Sequence, residues 1–443
     1  MHLDFNRLTT CLFAALSSVF LAEGVCARAQ AIPRPVIPAA VFNITNYGAV
    51  GDGRTVNTRS IQKTVEACSA AGGGTVLVPA GQFVFGPIRL ASRINLRLDH
   101  GAVLLLDDDR GNYPISAKRY QDGITVADAE DIEISGEGVI DGQGKAWWAA
   151  FIADLKAGRQ TMAHRPYLTK ISHCTRVRVS GITLRNSPMF HLVTQDCTDV
   201  TIQNITIQAP SNAANTDGLD PSGWNYLITG CFIDTGDDNI AIKPGRGRTP
   251  ADKNFMVSDC TFGHGHGMSI GGGSLNGLED LTVSNCTFTG TDSGIRIKTG
   301  RGNGGLLRHL TYENLTMTRV RNPIYINDYY PERNAPKDPA TETAEAAGPR
   351  TPFCEDVVIR NVMATNCQTA GTIRGLPEAP ISGLLLTNVS LSAETGMKIH
   401  DVRAMRFAAS KIRVQTGEPA TTFNAQIEGL EAAEALPREG KEE

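Results

Sequence analysis

A chain of 443 residues, 41% hydrophobic and 20% charged, has the makeup of an ordinary soluble globular protein and is long enough to bury a large core. Forty-five glycines against 6% aromatic residues favour many short strands and tight turns over bulky helical layers. A formal net charge of -4, a pI near 6.2 and the lack of a long basic run argue against nucleic acid as a partner, and an acidic ligand would need a local basic patch.

Residues 1–29 read as a signal peptide. Arg7 closes a short n-region, Cys11 to Ala22 is mostly apolar, and Ala27-Arg28-Ala29 or Ala29-Gln30-Ala31 offers a small-x-small cleavage site. The apolar run is too short to span a bilayer, so a secreted or periplasmic protein with no membrane partner is expected. Residues 30–45, with Pro33, Pro35 and Pro38, read as a linker into one domain at 46–429. Thr55 to Ala71 has Ile61, Val65 and Cys68 at helical spacing and stops at Gly72-Gly73-Gly74, which predicts an amphipathic helix capping a solenoid end.

Short alternating strands follow at Thr75–Pro79, Phe83–Phe85 and Ile94–Leu98. A repeat then appears openly in Asp131–Gly136, Arg176–Leu184 and Asp199–Ile207, and it continues at Tyr226–Ile233, Phe255–Phe262, Leu281–Phe288, Leu310–Met317, Val357–Met363 and Leu384–Leu391. The pattern is x-apolar-x-apolar-x-Asn/Gly-apolar-x-apolar, recurring about every 23 to 29 residues in the central part. Period 2 within each unit and no helical pattern between units indicate one coil of a β-solenoid per repeat, and so an all-β, single-domain parallel β-helix.

Two intervals break the period and are predicted as loops shaping a cleft: Gln143–Thr169, with Trp147, Trp148, Phe151 and a helix-like stretch, and the Pro-, Ala- and Glu-rich Tyr330–Pro352. Residues 430–443 read as a loose tail. Beyond the signal, Cys68, Cys174, Cys197, Cys231, Cys260, Cys286, Cys354 and Cys367 form no C-x-x-C pair and read as small buried residues stacked in the core, with disulfide pairing not readable from sequence. Asn-x-Ser/Thr triplets at Asn43, Asn204, Asn285, Asn314 and Asn388 mostly fall at the repeat's turn, where Asn tolerates left-handed geometry.

Four polar clusters stand at nearly even intervals: Asn215-Thr216-Asp217, Gly236-Asp237-Asp238, Gly265-His266-Gly267 and Arg296-Ile297-Lys298. Aligning Leu219, Ile240, Met268 and Ile295 puts Asp217, Asp238 and His266 in one column, with Asp237 one residue ahead. Stacked coils lie ~4.8 Å apart, so three carboxyls and a histidine would share a patch and at least one carboxyl pKa should rise, as a general acid at neutral pH requires. Arg296 and Lys298 flank the inward Ile297 on one strand face, a receptor for an anionic group such as a sugar carboxylate or a charge balance for the acids. A calcium site on the three carboxyls is the competing reading. A zinc pair of His264 and His266 lacks a third ligand at suitable spacing. Neither metal nor cofactor is expected.

In this order the four clusters resemble the signature motifs of the polygalacturonase family, glycoside hydrolase family 28. The likeness extends to Tyr47-Gly48-Ala49 through Pro79, Asp141-Gly142-Gln143-Gly144 with Trp147-Trp148, and Asn186-Ser187-Pro188, covering roughly Asn46 to Val389. The resemblance implies a right-handed parallel β-helix and inverting hydrolysis of α-1,4 bonds between galacturonate residues in pectin, an acidic plant polysaccharide. It implies that Asp237 is the general acid, that Asp217 and Asp238 activate water, and that His266 tunes the acid. Arg296 and Lys298 would hold a galacturonate carboxylate, and Tyr330 matches a substrate-contacting tyrosine, with Tyr329 the alternative. Inverting enzymes usually part their carboxyls by about 6.5–9.5 Å, more than one rung; the resemblance implies inversion nonetheless.

Asn239 stands where Cys is common in that family and Met268 where Leu is frequent, which points to a divergent branch and a decorated pectin as substrate. Rhamnogalacturonan or xylogalacturonan hydrolysis, a β-helix pectate lyase and a non-catalytic polysaccharide binder are the alternatives. A monomer is expected, and the two long loops favour exo over endo action.

Overall fold

The computed structural model describes residues 32–159, 164–244 and 251–430. The expected signal peptide and nearly all of the expected tail lie outside them. Thirty strands of the described residues join one sheet that winds on itself as a parallel β-helix. No helix among these residues is long and apolar enough to cross a membrane.

Three stacks of inward side chains make the core, and each follows from the period-2 pattern. One runs Ile88, Ile124, Thr169, Leu192, Leu219, Ile240, Met268, Ile295, Ile324, every neighbour in strand register. A second includes Ile202, Ile228, Val257, Val283 and Tyr312, and a third Ile207, Ile233, Phe262, Phe288 and Met317. All of these side chains are buried, and burying each large one stabilises the coil by roughly 1.5–3 kcal/mol. The eight cysteines of the domain are buried free thiols, as the repeat alignment indicated.

The corners between stacks need a left-handed residue, and asparagine or aspartate supplies it. Asn204, Asn285, Asn314, Asn361 and Asn388 have φ between +52° and +55°. Their side chains also bond from rung to rung. Nδ2 of Asn314 donates to Oδ1 of Asn285 at 3.1 Å, Asn361 to Asn314 at 3.0 Å and Asn388 to Asn361 at 2.9 Å.

The capping helix spans Thr58–Ala70 and turns Ile61, Thr64, Val65 and Cys68 inward. It starts later than Thr55 because Asp52–Val56 is a strand paired with Gly81–Phe85. The stretch read as a linker also contains fold: Val41–Asn43 pairs with Thr75–Leu77, a strand too short to show a period. Within the interval 143–169 lies the helix Lys145–Lys156, anchored by Trp147, whose ring stands edge-on to Tyr113 at 5.5 Å and Tyr120 at 4.9 Å. The interval after Tyr330 is a true loop with two short 3-10 turns. Arg301 fastens it, reaching Glu342 at 2.5 Å and Glu378 at 2.7 Å.

Candidate active site

Strand register makes neighbours of the four clusters. Leu219 pairs with Ile240, Ile240 with Met268 and Met268 with Ile295, so the turns just before these strands stack. Those turns pack too closely for side chains at their glycines: a Cβ on Gly236 would lie 2.3 Å from the Ala213 carbonyl oxygen, and one on Gly265 2.5 Å from that of Asp237. Asn239 brackets the third turn. Its Nδ2 donates to the carbonyls of Ile233 at 3.0 Å and His264 at 2.7 Å, and its Oδ1 accepts from Gly267 N at 2.7 Å. The side chain at this departure from the family pattern therefore holds the loop that carries His266.

Asp238 is the fixed charge of the site. Its Oδ1 accepts from Arg296 Nη1 at 2.6 Å and Ser269 Oγ at 2.9 Å, and its Oδ2 from Lys298 Nζ at 2.6 Å. Burial alone would push this carboxyl up, but Lys298, His266 and Arg296 together hold it well below the usual range. Asp217, equally buried, goes the other way. Burial drives it well above its ordinary value despite Lys243 Nζ at 2.9 Å, with Asp220, Asp237 and Asp238 adding to the rise. Its second oxygen, Oδ1, has no hydrogen-bond partner in the protein.

Asp237 is the carboxyl that solvent reaches, its side chain 21% exposed against 4% for Asp217 and 2% for Asp238. His266 Nδ1 lies 3.1 Å from Asp237 Oδ1 and 3.4 Å from Asp238 Oδ1. Burial works against the Asp237 charge, yet the imidazolium beside it holds this carboxyl below its ordinary value. Burial also lowers His266, but the two carboxylates outweigh it and push the imidazole up to about 9. The expected rise of one carboxyl thus falls on Asp217 and not on Asp237, because Asp217 is the more deeply buried and shares Lys243 with Asp220, whereas Asp237 has the His266 imidazolium beside it.

Arg296 and Lys298 enter the same patch, as their column predicts, but as partners of Asp238. Tyr330 lies beside them, Lys298 Nζ 5.4 Å from its ring, whereas Tyr329 is buried with Leu376 and Ala379 under Arg301. His264 turns away to Asp234 at 3.0 Å, so the two histidines do not converge. Asp237, Asp238 and His266 have the donor types of a cation site. Both oxygens of Asp238 are already taken by cationic donors, so the set fits a metal poorly.

Lys243 and Arg165 join the site without having been singled out from sequence. Lys243 bridges Asp217 and Asp220, each at 2.9 Å, with the Phe190 ring 4.5 Å from its ammonium. A signal existed, since Ile240-Ala241-Ile242-Lys243 repeats Ile295-Arg296-Ile297-Lys298 and places both lysines in one column. Arg165 gives no such signal, lying in the aperiodic interval. It donates to the carbonyls of Pro188 and Ala214 and, at 2.8 Å, to Asn215 Oδ1, while Asn215 Nδ2 donates to Asp237.

The chain matches Glycosyl hydrolases family 28 over residues 68–410. A polygalacturonase of Juniperus ashei is 35% identical over 374 residues, 81% of this chain and 69% of that protein. An endo-polygalacturonase of Pectobacterium carotovorum subsp. carotovorum is 29% identical over 425 residues, 91% of this chain and 99% of that protein. The solved polygalacturonase from Erwinia carotovora ssp. carotovora superposes with a TM-score of 0.71 at 27% identity, covering 84% of this chain and 98% of that one.

Proposed function

The chain belongs to glycosyl hydrolases family 28 and is a polygalacturonase-type glycoside hydrolase, and from that premise we propose that it cleaves α-1,4-galacturonosidic bonds of pectin with inversion. The observation that carries the assignment of roles is the exposure of Asp237 inside a cluster whose other two carboxyls are buried. Only a reachable carboxyl can meet a glycosidic oxygen, so Asp237 is the acid and delivers the proton it shares with His266.

The glycosidic C–O bond breaks with its electron pair on the leaving oxygen, which takes that proton. Water adds to the anomeric carbon from the opposite face and gives up a proton. Asp217 receives it at Oδ1, the oxygen without a protein donor, acting from the ionised form that Lys243 favours. Asp238, kept ionised by Arg296 and Lys298, orients the water and sets its negative charge against the positive charge that develops on the sugar. Arg296, Lys298 and Tyr330 line the place of a galacturonate carboxylate, although the two cations answer first to Asp238.

A second assignment has an observation in its favour, the raised Asp217 as acid and Asp237 as base. Burial and the Lys243 clamp weigh against it. Exo action is the reading we favour. The interval 143–169 docks through Arg165 against Asn215 and through Trp148 Nε1 against the Ser187 carbonyl, which supports a wall at the N-terminal side of the cleft. Residues 1–29, read as a signal peptide, support action outside the cytoplasm.

A product time course on unesterified polygalacturonic acid, with and without chelator, tests this reading. Monomer or dimer from the start, insensitive to chelator, is expected; an oligomer ladder would overturn exo action. No product would move the substrate to rhamnogalacturonan or xylogalacturonan, and unsaturated products would replace hydrolysis by lyase chemistry.

A further inference from the structure

We propose that Lys398, seconded by Arg321, forms a separate carboxylate subsite three rungs beyond Arg296, holding a uronate further along the polymer; this rests on the galacturonan reading above. Strand register places it. Arg296 lies beside Tyr325, Tyr325 beside Thr372 and Thr372 beside Lys398. Residues in one register column project from the same face, and at ~4.8 Å per rung the backbone of Lys398 stands roughly 14 Å from that of Arg296. A groove of about 560 Å³ runs along this column, with Arg296, Tyr330, Thr372, Arg321 and Lys398 among its walls.

Charge is the second, independent line. Arg296 and Lys298 are engaged by Asp238 at 2.6 Å each, so their charge is already balanced inside the protein. Lys398 is exposed and takes part in no ion pair among the described residues. Arg321 is 63% exposed, approaches Asp292 only at 3.4 Å and otherwise donates Nε to Gln368. A polymer with a carboxylate on every sugar meets these two cations after it leaves the catalytic rung. Three acids share the groove, Asp292, Glu332 and Glu394, the first of them the distant partner of Arg321. The Tyr325 hydroxyl donates to Glu332 at 2.5 Å. Glu394 is exposed and opposes a bound anion, which supplies a control of opposite sign.

The test is the chain-length dependence of KM on unesterified galacturonate oligomers, using the whole protein. Lys398→Ala raises KM about threefold for oligomers long enough to reach three rungs, Lys398→Glu about tenfold, and Glu394→Gln lowers it about twofold. Dimer and trimer are unaffected by all three changes. Added salt narrows the difference between wild type and variants on the long substrates. Equal effects at every length, or no effect of Lys398→Glu on long oligomers, would overturn the subsite while leaving catalysis intact. A wild-type protein that turns over no galacturonide of any length would remove the functional reading and the subsite with it.

Discussion

The ammonium of Lys298 lies 2.6 Å from Oδ2 of Asp238, both side chains almost fully buried. A cation in that position is part of the catalytic charge arrangement before any substrate arrives. Lys298→Ala should therefore lower kcat at least tenfold with a smaller change in KM, because it leaves Asp238 a less fully compensated buried charge. Steady-state kinetics on polygalacturonate reads the split. A KM effect at constant kcat would return Lys298 to the role of a plain carboxylate receptor.

Asp237→Asn should cost at least a thousandfold in kcat on polygalacturonate while the far-ultraviolet spectrum and oligomer binding persist. A galacturonide with an acidic phenol as leaving group needs no protonation, so the variant should recover most of its rate on it. Asp217→Asn should recover nothing. The reverse pattern of rescue would exchange the two roles.

His266 gives the pH dependence a sign. Its imidazole sits at about 9, above the ordinary value of 6.5, because Asp237 and Asp238 favour the charged form. A group raised in the folded state stabilises fully below its unfolded pKa, and that contribution disappears as pH climbs through the folded value. The melting temperature of the wild type should therefore fall between pH 6.5 and about 9 more steeply than that of His266→Gln. Parallel melting curves would remove the pairing from consideration.

Asn239→Ala strands the buried Gly267 N–H and removes both donors to the Ile233 and His264 carbonyls. Chemical denaturation should show a loss of about 2–4 kcal/mol. Activity should fall further than stability alone explains, since the turn that aims His266 loosens. A variant equally stable and active would mean that the bracket is redundant.

Arg301→Ala should release the loop after Tyr330, which Arg301 holds by Glu342 while also pairing with Glu378 outside the loop. Limited proteolysis within 331–352 should become about tenfold faster with little change in global melting, because the loop adds few buried apolar contacts. Unaltered cleavage would show that the two 3-10 turns suffice.

Much of this molecule was legible because a solenoid writes its contacts into its period. Alignment of Leu219, Ile240, Met268 and Ile295 on sequence reproduces the strand register, and with it the meeting of Asp217, Asp238 and His266. The electrostatic outcome was not legible. Whether burial or partners win at Asp217 and Asp237 depends on depth of burial, on who shares Lys243 and on which carboxyls reach His266, and none of these is a matter of spacing. The pairing of Asp238 with Arg296 and Lys298 joins residues 58 and 60 positions apart, two rungs on, where side-chain length decides the contact. Arg165 arrives from an interval with no period, so nothing marks it in advance.

The asparagine corners have a consequence for how such a protein can grow. Consecutive members of the Asn285, Asn314, Asn361 and Asn388 stack are 29, 47 and 27 residues apart in the chain, yet the amide contacts are alike. The long middle interval accommodates the whole loop after Tyr330 without breaking the stack. One residue added inside Leu306–Thr318 would instead misplace Asn314 and turn apolar side chains to the wrong face. New length, and with it new surface facing a polymer, enters this chain between the corners.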